Sequence, residues 1–308
     1  MGGRILIIKL GALGDFVQAL GPMAAVRAHH KDAHITLLTT AAYAGLGRAC
    51  PYLDAVWVDA RPGLWNVPGW LALRARLRGG GFDRVYDLQT SDRSGFYFRL
   101  MGKNTDWSGI APGCSHPHAN PDRDFMHTAD RQREQLEMAG IARVPAPDLG
   151  WLTADVARFG APVDGSGTYA LLAPGGAAHR AGKRWPAGHC SHLARRLAAA
   201  RIRPGVLGPK AEADVLAAIT AAVPEAVDLG GSTDFADIAT LARGCHFAVG
   251  NDTGPMHLIA ASGAKAVVLF SHASDPALCA PRGRAVTVLR SPRLDRLGID
   301  TVMRAALS

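Results

Sequence analysis

The sequence predicts an α/β protein of two doubly wound parallel-sheet domains facing each other across a cleft. Three observations carry this expectation. Short apolar runs alternate with helical patterns along the whole chain, as parallel strands joined by crossover helices require. The chain has 308 residues, beyond the size at which a single core keeps growing. A connection rich in proline and glycine, Ala142 to Thr168, divides the alternation in two through Pro145, Pro147, Pro162, Gly165 and Gly167. The expected domains are residues 1–150 and 151–308.

Taken in order, Arg4 to Leu10 is a buried strand by its unbroken apolar run. Gly11-Ala12-Leu13-Gly14 is a turn, and Asp15 to Ala28 a helix. Ile35 to Leu38 and Val56 to Val58 are the next strands. Helical patterns near Trp70 to Leu77 and Ser94 to Met101 flank the strand Arg84 to Leu88. A helix over Thr128 to Met138 closes the first half. After the connection, with a short element around Trp151 to Phe159, strands are expected at Tyr169 to Ala173, Gly205 to Leu207, Ala226 to Leu229, Phe247 to Val249, Ala264 to Phe270 and Ala285 to Leu289. Helices at Ala187 to Ala200, Ala211 to Ala222, Phe235 to Ala242 and Leu258 to Ala261 lie between them. A C-terminal helix near Asp300 to Leu307 is free to pack back on the first domain.

The composition is that of a globular protein: 48% hydrophobic and only 19% charged, which argues against disorder. A net charge of +8 favours anionic partners. No basic tail or interleaved aromatic–basic platform appears, which argues against nucleic acid as a partner. The five cysteines are odd in number and scattered, as for free thiols in a reducing compartment. The absence of a signal peptide pattern and of a bilayer-length apolar run points to a cytoplasmic protein.

Ligands of doubly wound sheets sit beyond the carboxyl ends of the strands, and three loops there carry chemistry-bearing residues. In the first, Gly11 and Gly14 permit unusual backbone angles and close approach of a ligand. Asp15 follows them at a helix start. It reads as a general base for a hydroxyl, or as an acidic residue that only complements the helix dipole. The loop lacks GxGxxG, which argues against a nicotinamide oxidoreductase. The second loop runs from Pro174 and Gly175 to Lys183-Arg184-Trp185-Pro186. Five residues separate Gly176 from Gly182 and Arg184 stands where Ser or Thr would hold magnesium, so a P-loop is rejected. A glycine-rich loop ending in Lys183 and Arg184 still suits a phosphate, and a solvated basic turn is the plainer reading. Trp185 is expected to pack.

The third loop, Gly250-Asn251-Asp252-Thr253-Gly254-Pro255-Met256-His257, joins an apolar strand to a helix. Thr253 or Asp252 can cap that helix, and Pro255 suits its first turn. The free N–H groups and partial positive charge of such a start suit a diphosphate, beside a carboxylate able to hold a sugar hydroxyl. His116 with His118, and His189 with His192, lack a third ligand for a metal. Asp122 and Asp124 fit an ordinary surface loop. Trp65 to Arg78 reads as a helix that packs one face, or as one that lies on an anionic membrane surface.

Together these motifs resemble glycosyltransferase family nine, the ADP-heptose:lipopolysaccharide heptosyltransferases. The resemblance rests on ILIIKLGALGDFVQALGPMAAVR at 5–27, FDRVYDLQTSDRS at 82–94, GKRWP at 182–186 and GNDTGPMHLIAASGAKAVVLF at 250–270. It implies a GT-B fold of two Rossmann-like domains, with the acceptor on the first and the nucleotide sugar on the second. It also implies inverting transfer of heptose from ADP-heptose, with no cofactor and no catalytic metal. The acceptor would be an anionic glycolipid of the lipopolysaccharide inner core, reached by peripheral contact at the cytoplasmic face of the inner membrane. By position, the resemblance makes Asp15 the base and Lys183 the basic residue at the donor phosphates. Asp252 would hold the donor sugar and Thr253 to His257 the diphosphate, with Pro174, Gly175 and Arg184 beside them. Gly11, Gly14, Asp87, Gln89, Arg93 and Ser94 fall to the acceptor. The chain departs from the family at Ala177, Ala178 and His179, where relatives have hydroxyl residues, and at Ser271-His272 before Asp275-Pro276. Those departures leave open a transferase for another nucleotide sugar, a sugar-nucleotide epimerase, or a non-catalytic glycolipid- or nucleotide-binding protein.

Overall fold

The structure, a computed structural model, describes residues 2–102, 105–160, 168–176 and 181–308. Pro162, Gly165 and Gly167 of the expected connection, and Ala177 to Arg180 of the second loop, lie outside the described residues. The chain divides into two compact units, Met1–Trp151 and Leu152–Ser308.

The first unit runs β1 (Arg4–Ile8), α1 (Leu13–Gln18), α2 (Leu20–His29), β2 (His34–Thr39), α3 (Ala41–Ala49), β3 (Ala55–Val58), α4 (Val67–Gly79), β4 (Arg84–Asp87), α5 (Asp92–Met101), β5 (Asp106–Gly109), β6 (His116–Pro117) and α6 (Thr128–Met138). Its strands form a parallel sheet in the order β3-β2-β1-β4-β5-β6. β1 is apolar on both faces because helices cover both. On one side Leu6, Ile8 and Val85 pack with Leu73 and Leu77 of α4, Tyr97 and Phe98 of α5, and Trp107.

The single helix expected over Asp15 to Ala28 is two helices, α1 and α2, with Ala19 between them. Pro22 explains the break. It has no N–H to give to the Gln18 carbonyl, and its ring crowds that carbonyl. α3, β5 and β6 were not expected. α3 (AAYAGLGRA) carries two glycines, while β5 (DWSG) and β6 (HP) are too short and polar for an apolar-run signal.

The second unit runs β7 (Thr168–Ala173), α7 (Ala187–Ala199), β8 (Ile202–Val206), α8 (Ala213–Ala222), β9 (Val227–Asp228), α9 (Phe235–Gly244), β10 (Phe247–Asn251), α10 (Gly254–Ala261), β11 (Lys265–Phe270), α11 (Pro276–Cys279), β12 (Ala285–Arg290) and α12 (Ile299–Leu307). Its parallel sheet has the order β12-β11-β10-β7-β8-β9. Leu172, Val249, Val267 and Leu269 form its core with Leu193 and Leu197 of α7 and Leu216 and Ile219 of α8. The buried face of α12, Val302, Met303 and Ala306, belongs to this same core, so its apolar surface is used within the second unit. No helix among the described residues is long and apolar enough to cross a membrane. All five cysteines are free thiols.

Candidate functional site

Each sheet, counted within its own unit, has the strand order 3-2-1-4-5-6. Strand order therefore reverses between β1 and β4 and between β7 and β10. Loops leaving the carboxyl ends of such a pair diverge to opposite faces and leave a crevice for ligands. The residues singled out in the sequence follow β1 and β4 in the first unit, and β7 and β10 in the second.

In the second unit, buried Asn251 at the end of β10 joins the loops. Its side-chain amide donates to the carbonyls of Pro174 (2.7 Å) and Gly175 (3.1 Å), and its Oδ1 accepts the Trp185 backbone N–H (3.0 Å). One amide thus fixes the loop after β7, the entry to α7 and the end of β10. Glu212 braces the same loop by accepting from the Gly176 N–H at 3.0 Å. A side chain at Gly175 would bring its Cβ to 1.9 Å from Glu212 Oε2, so the Glu212 carboxylate would have to move to admit one. Arg184 bonds the Gly176 carbonyl through Nε at 3.1 Å and pairs with Glu212 at 3.5 Å. Beside these residues an open recess of about 130 Å³ is lined by Pro174, Gly175, Arg184 and Glu212, among others.

Lys183 and Asp252 meet at 2.5 Å, both nearly buried. The pair stands at the entry to α10. Neither expected cap forms there. Thr253 takes the N-cap position without a side-chain cap bond, its hydroxyl donates to the Asn251 carbonyl, and Asp252 is held by Lys183. The helix start keeps its positive end, and the partly exposed residues there are Asp252 to Pro255. Met256 and His257 follow in the first turns of α10. Both are buried, and Met256 packs so closely on Gly250 that a Cβ there would lie 2.6 Å from its sulfur. The Met256 side chain is core. Trp185 is packed as expected, its indole N–H on the Leu297 carbonyl at 3.0 Å.

In the first unit, Gly11 has φ +131°, and a Cβ there would meet the Tyr43 ring at 2.5 Å. Gly14 lies in the first turn of α1, with partly exposed Asp15 beside it. Gln89 accepts the Leu10 N–H at 2.8 Å, which ties the loop after β4 to the loop after β1. Asp87 Oδ1 accepts the N–H groups of Gln89 (3.1 Å) and Thr90 (3.0 Å). Burial raises Asp87 to about 6, against the pull of these donors and of Lys9. Burial lowers Lys9 to about 8, against the pull of Asp15 and Asp87. Its ammonium donates to the Leu88 carbonyl at 2.9 Å. Asp15, Asp87, Gln89 and the Gly11 turn are thus gathered around the end of β1.

Arg93 and Ser94 lie at the start of α5. Arg93 bonds the Tyr97 hydroxyl (3.3 Å) and the Pro62 carbonyl (3.2 Å) and lies over Trp70. Ser94 is buried in a capping box with Ser91. Both hold α5 in place. Asn251, Glu212 and Lys9 are the site residues that the sequence reading missed. Among the described residues no group of three His, Cys, Asp or Glu side chains is placed to hold a metal ion. His118 pairs with Glu134 at 3.1 Å and His116 with Arg84 at 2.8 Å.

The model of glycosyltransferase family 9 (heptosyltransferase) matches residues 70–297. No curated protein matches the chain. Among solved structures, a family 9 glycosyltransferase from Veillonella parvula DSM 2008 superposes with a TM-score of 0.83 at 19% identity, over 99% of this chain and 96% of that one. The ADP-heptose LPS heptosyltransferase II of E. coli gives 0.80 at 19%, over 98% and 97%. E. coli heptosyltransferase WaaC with ADP gives 0.75 at 21%, over 98% of each chain. The two Rossmann-like sheets are those of the GT-B glycosyltransferases. This chain is a glycosyltransferase and belongs to family 9, the heptosyltransferase family.

Proposed function

We propose that the protein transfers heptose from ADP-heptose to an anionic glycolipid of the lipopolysaccharide inner core, with inversion and without a metal. The observation that carries the reading is the Lys183–Asp252 pair at the uncapped start of α10. An ammonium has three donor hydrogens, so one partner leaves capacity for a phosphate oxygen. The N-terminus of α10 supplies the second stabilising charge. Negative charge grows on the departing ADP as its bond to the anomeric carbon breaks, and both features act where that charge develops. Asp252 orients Lys183 and has a second carboxylate oxygen for a donor-sugar hydroxyl. The ADP in the WaaC structure supports the same choice of nucleotide.

Asp15 is the proposed base. It takes the proton of the acceptor hydroxyl as that oxygen attacks the anomeric carbon opposite the leaving diphosphate, which gives a single displacement and inversion. The Gly11 turn lets an acceptor approach the backbone, while Asp87 and Gln89 hold that turn in place. The reaction would take place in the cytoplasm, where an anionic, lipid-borne acceptor is drawn by the net charge of +8.

Two variants separate the roles. Asp15→Asn should lower turnover by about 10²–10⁴-fold, the usual contribution of a positioned base, with ADP affinity nearly unchanged. Lys183→Ala should weaken ADP binding as well as turnover. Near-wild-type turnover of Asp15→Asn would remove Asp15 from the base role.

A further inference from the structure

Tyr43 of α3 stands against the Gly11 turn and Asp15. The start of α3 is fastened to the end of β1, where Thr40, at the N-cap position, donates its hydroxyl to the Leu10 carbonyl at 3.1 Å. Leu10 gives its own N–H to Gln89 at 2.8 Å. The residue before Gly11 is therefore held by α3 on one side and by the loop after β4 on the other. From the first turn of α3, Tyr43 lays its ring on Gly11. A Cβ on that glycine would lie 2.5 Å from Cε2 and 3.3 Å from Cζ, so the end of the ring that carries the hydroxyl covers the bare Cα. Phe16, buried next to Asp15 in α1, packs on the same ring with centroids 5.6 Å apart. Two contacts thus fix the ring beside Asp15.

Packing alone does not account for this side chain. Ala44, Leu46 and Gly47 of the same helix are buried, whereas Tyr43 is partly exposed, as Asp15 is. Burial raises the Tyr43 phenol above its ordinary value, the charge of Asp15 raises it further, and a hydrogen bond from the Leu13 backbone pulls the other way. The phenol keeps its proton at neutral pH and is a donor as well as an acceptor. The face of the ring carries partial negative charge, which suits the slightly positive C–H bonds on one side of a sugar ring. Ligand sites combine such aromatic walls with a few placed polar groups, and here Asp15 and the phenol are those groups.

We propose, on the reading that Asp15 activates the acceptor, that Tyr43 is a further acceptor-binding residue: its ring is a wall for the C–H face of the acceptor sugar, and its hydroxyl donates to an oxygen of that sugar next to the one attacked. The acceptor so selected is a cyclic sugar with one unobstructed C–H face. Held against the wall, it turns the attacked hydroxyl toward Asp15.

The test uses the full chain and the inner-core saccharide with its acyl chains removed. With fluorotyrosine in place of the five tyrosines, the fluorine signal missing from Tyr43→Phe belongs to Tyr43. That signal should shift on titration with the saccharide in the absence of donor. In turnover at saturating ADP-heptose, Tyr43→Phe should raise the KM of the saccharide about threefold to tenfold, through loss of one hydrogen bond. Tyr43→Leu, which also removes the aromatic wall, should raise it about tenfold to a hundredfold. In Tyr43→Phe kcat should change less than KM, and ADP affinity by calorimetry should match wild type in both variants. A side chain that only braced the Gly11 turn and Asp15 would lower kcat instead. A fluorine signal indifferent to the saccharide, or an unchanged KM in both variants, would overturn the proposal even where transfer proceeds. A signal that responds while no heptose is transferred would remove the proposed reaction and keep Tyr43 as a sugar-binding residue.

Discussion

Lys183 and Asp252 lie 69 residues apart in sequence and 2.5 Å apart in the fold. Each was legible alone, because each is a charged residue just beyond a buried strand, where doubly wound sheets bind ligands. Their partnership was not, since nothing in local spacing links them. Asn251 and Glu212 were missed for the same reason: their partners are 28 to 77 residues away. Asp87 carries a prediction at this scale. Burial raises it from 3.8 to about 6, so between those values the folded chain holds a proton that the unfolded chain has released. Its contribution to stability is greatest below that window and falls as pH rises through it. Lys9, lowered to about 8, titrates outside the window. The stability of wild type relative to Asp87→Asn, from denaturant unfolding, should therefore decrease from about pH 4 to about pH 6. A difference that stays flat or rises over that range would contradict the dominance of burial over the donors at Asp87.

Among the elements, those with a long apolar period were readable and those without one were not. The helix α6 has the expected ends, Thr128 and Met138, although its buried face is mostly polar, made of Thr128, Gln132, Gln135 and Leu136. β5 forms because β4 offers an edge to pair with, and β6 because β5 does in turn, and that is a tertiary cause with no local trace. The division of α1 from α2 was legible in principle, since Pro22 was in plain view. At the start of α10 the local reading of a capped helix failed because Asp252 is drawn to Lys183 and Thr253 to a carbonyl. The joint between β7, α7 and β10 depends on Asn251. Asn251→Ala should cost about 3 kcal/mol, because it orphans a buried N–H and at least one buried carbonyl at about 1–3 kcal/mol each. The measurement is the denaturant midpoint at constant slope. A loss below about 0.5 kcal/mol, the range of ordinary surface changes, would show that Asn251 joins nothing.

For the whole molecule, repetition of strand–helix alternation was enough to anticipate two Rossmann-like sheets, and the structure has them in the same strand order. Family membership was legible from four motifs scattered along the chain, and the family model spans residues 70–297 of it. The nucleotide proposed for the second unit rests on fewer residues, and the segment after β11 is one that the sequence comparison left open. Ser271 accepts the Ala273 N–H and His272 reaches the Pro292 carbonyl at 2.7 Å, while Asp275 caps α11. The central claim is the use of an ADP-activated sugar. Calorimetric titration of the full chain with ADP, UDP, GDP and CDP at one fixed salt concentration tests it most directly. ADP should bind most tightly, by about tenfold or more over the others, and Lys183→Ala should remove that preference along with the affinity. Tighter binding of UDP, GDP or CDP than of ADP would contradict the account.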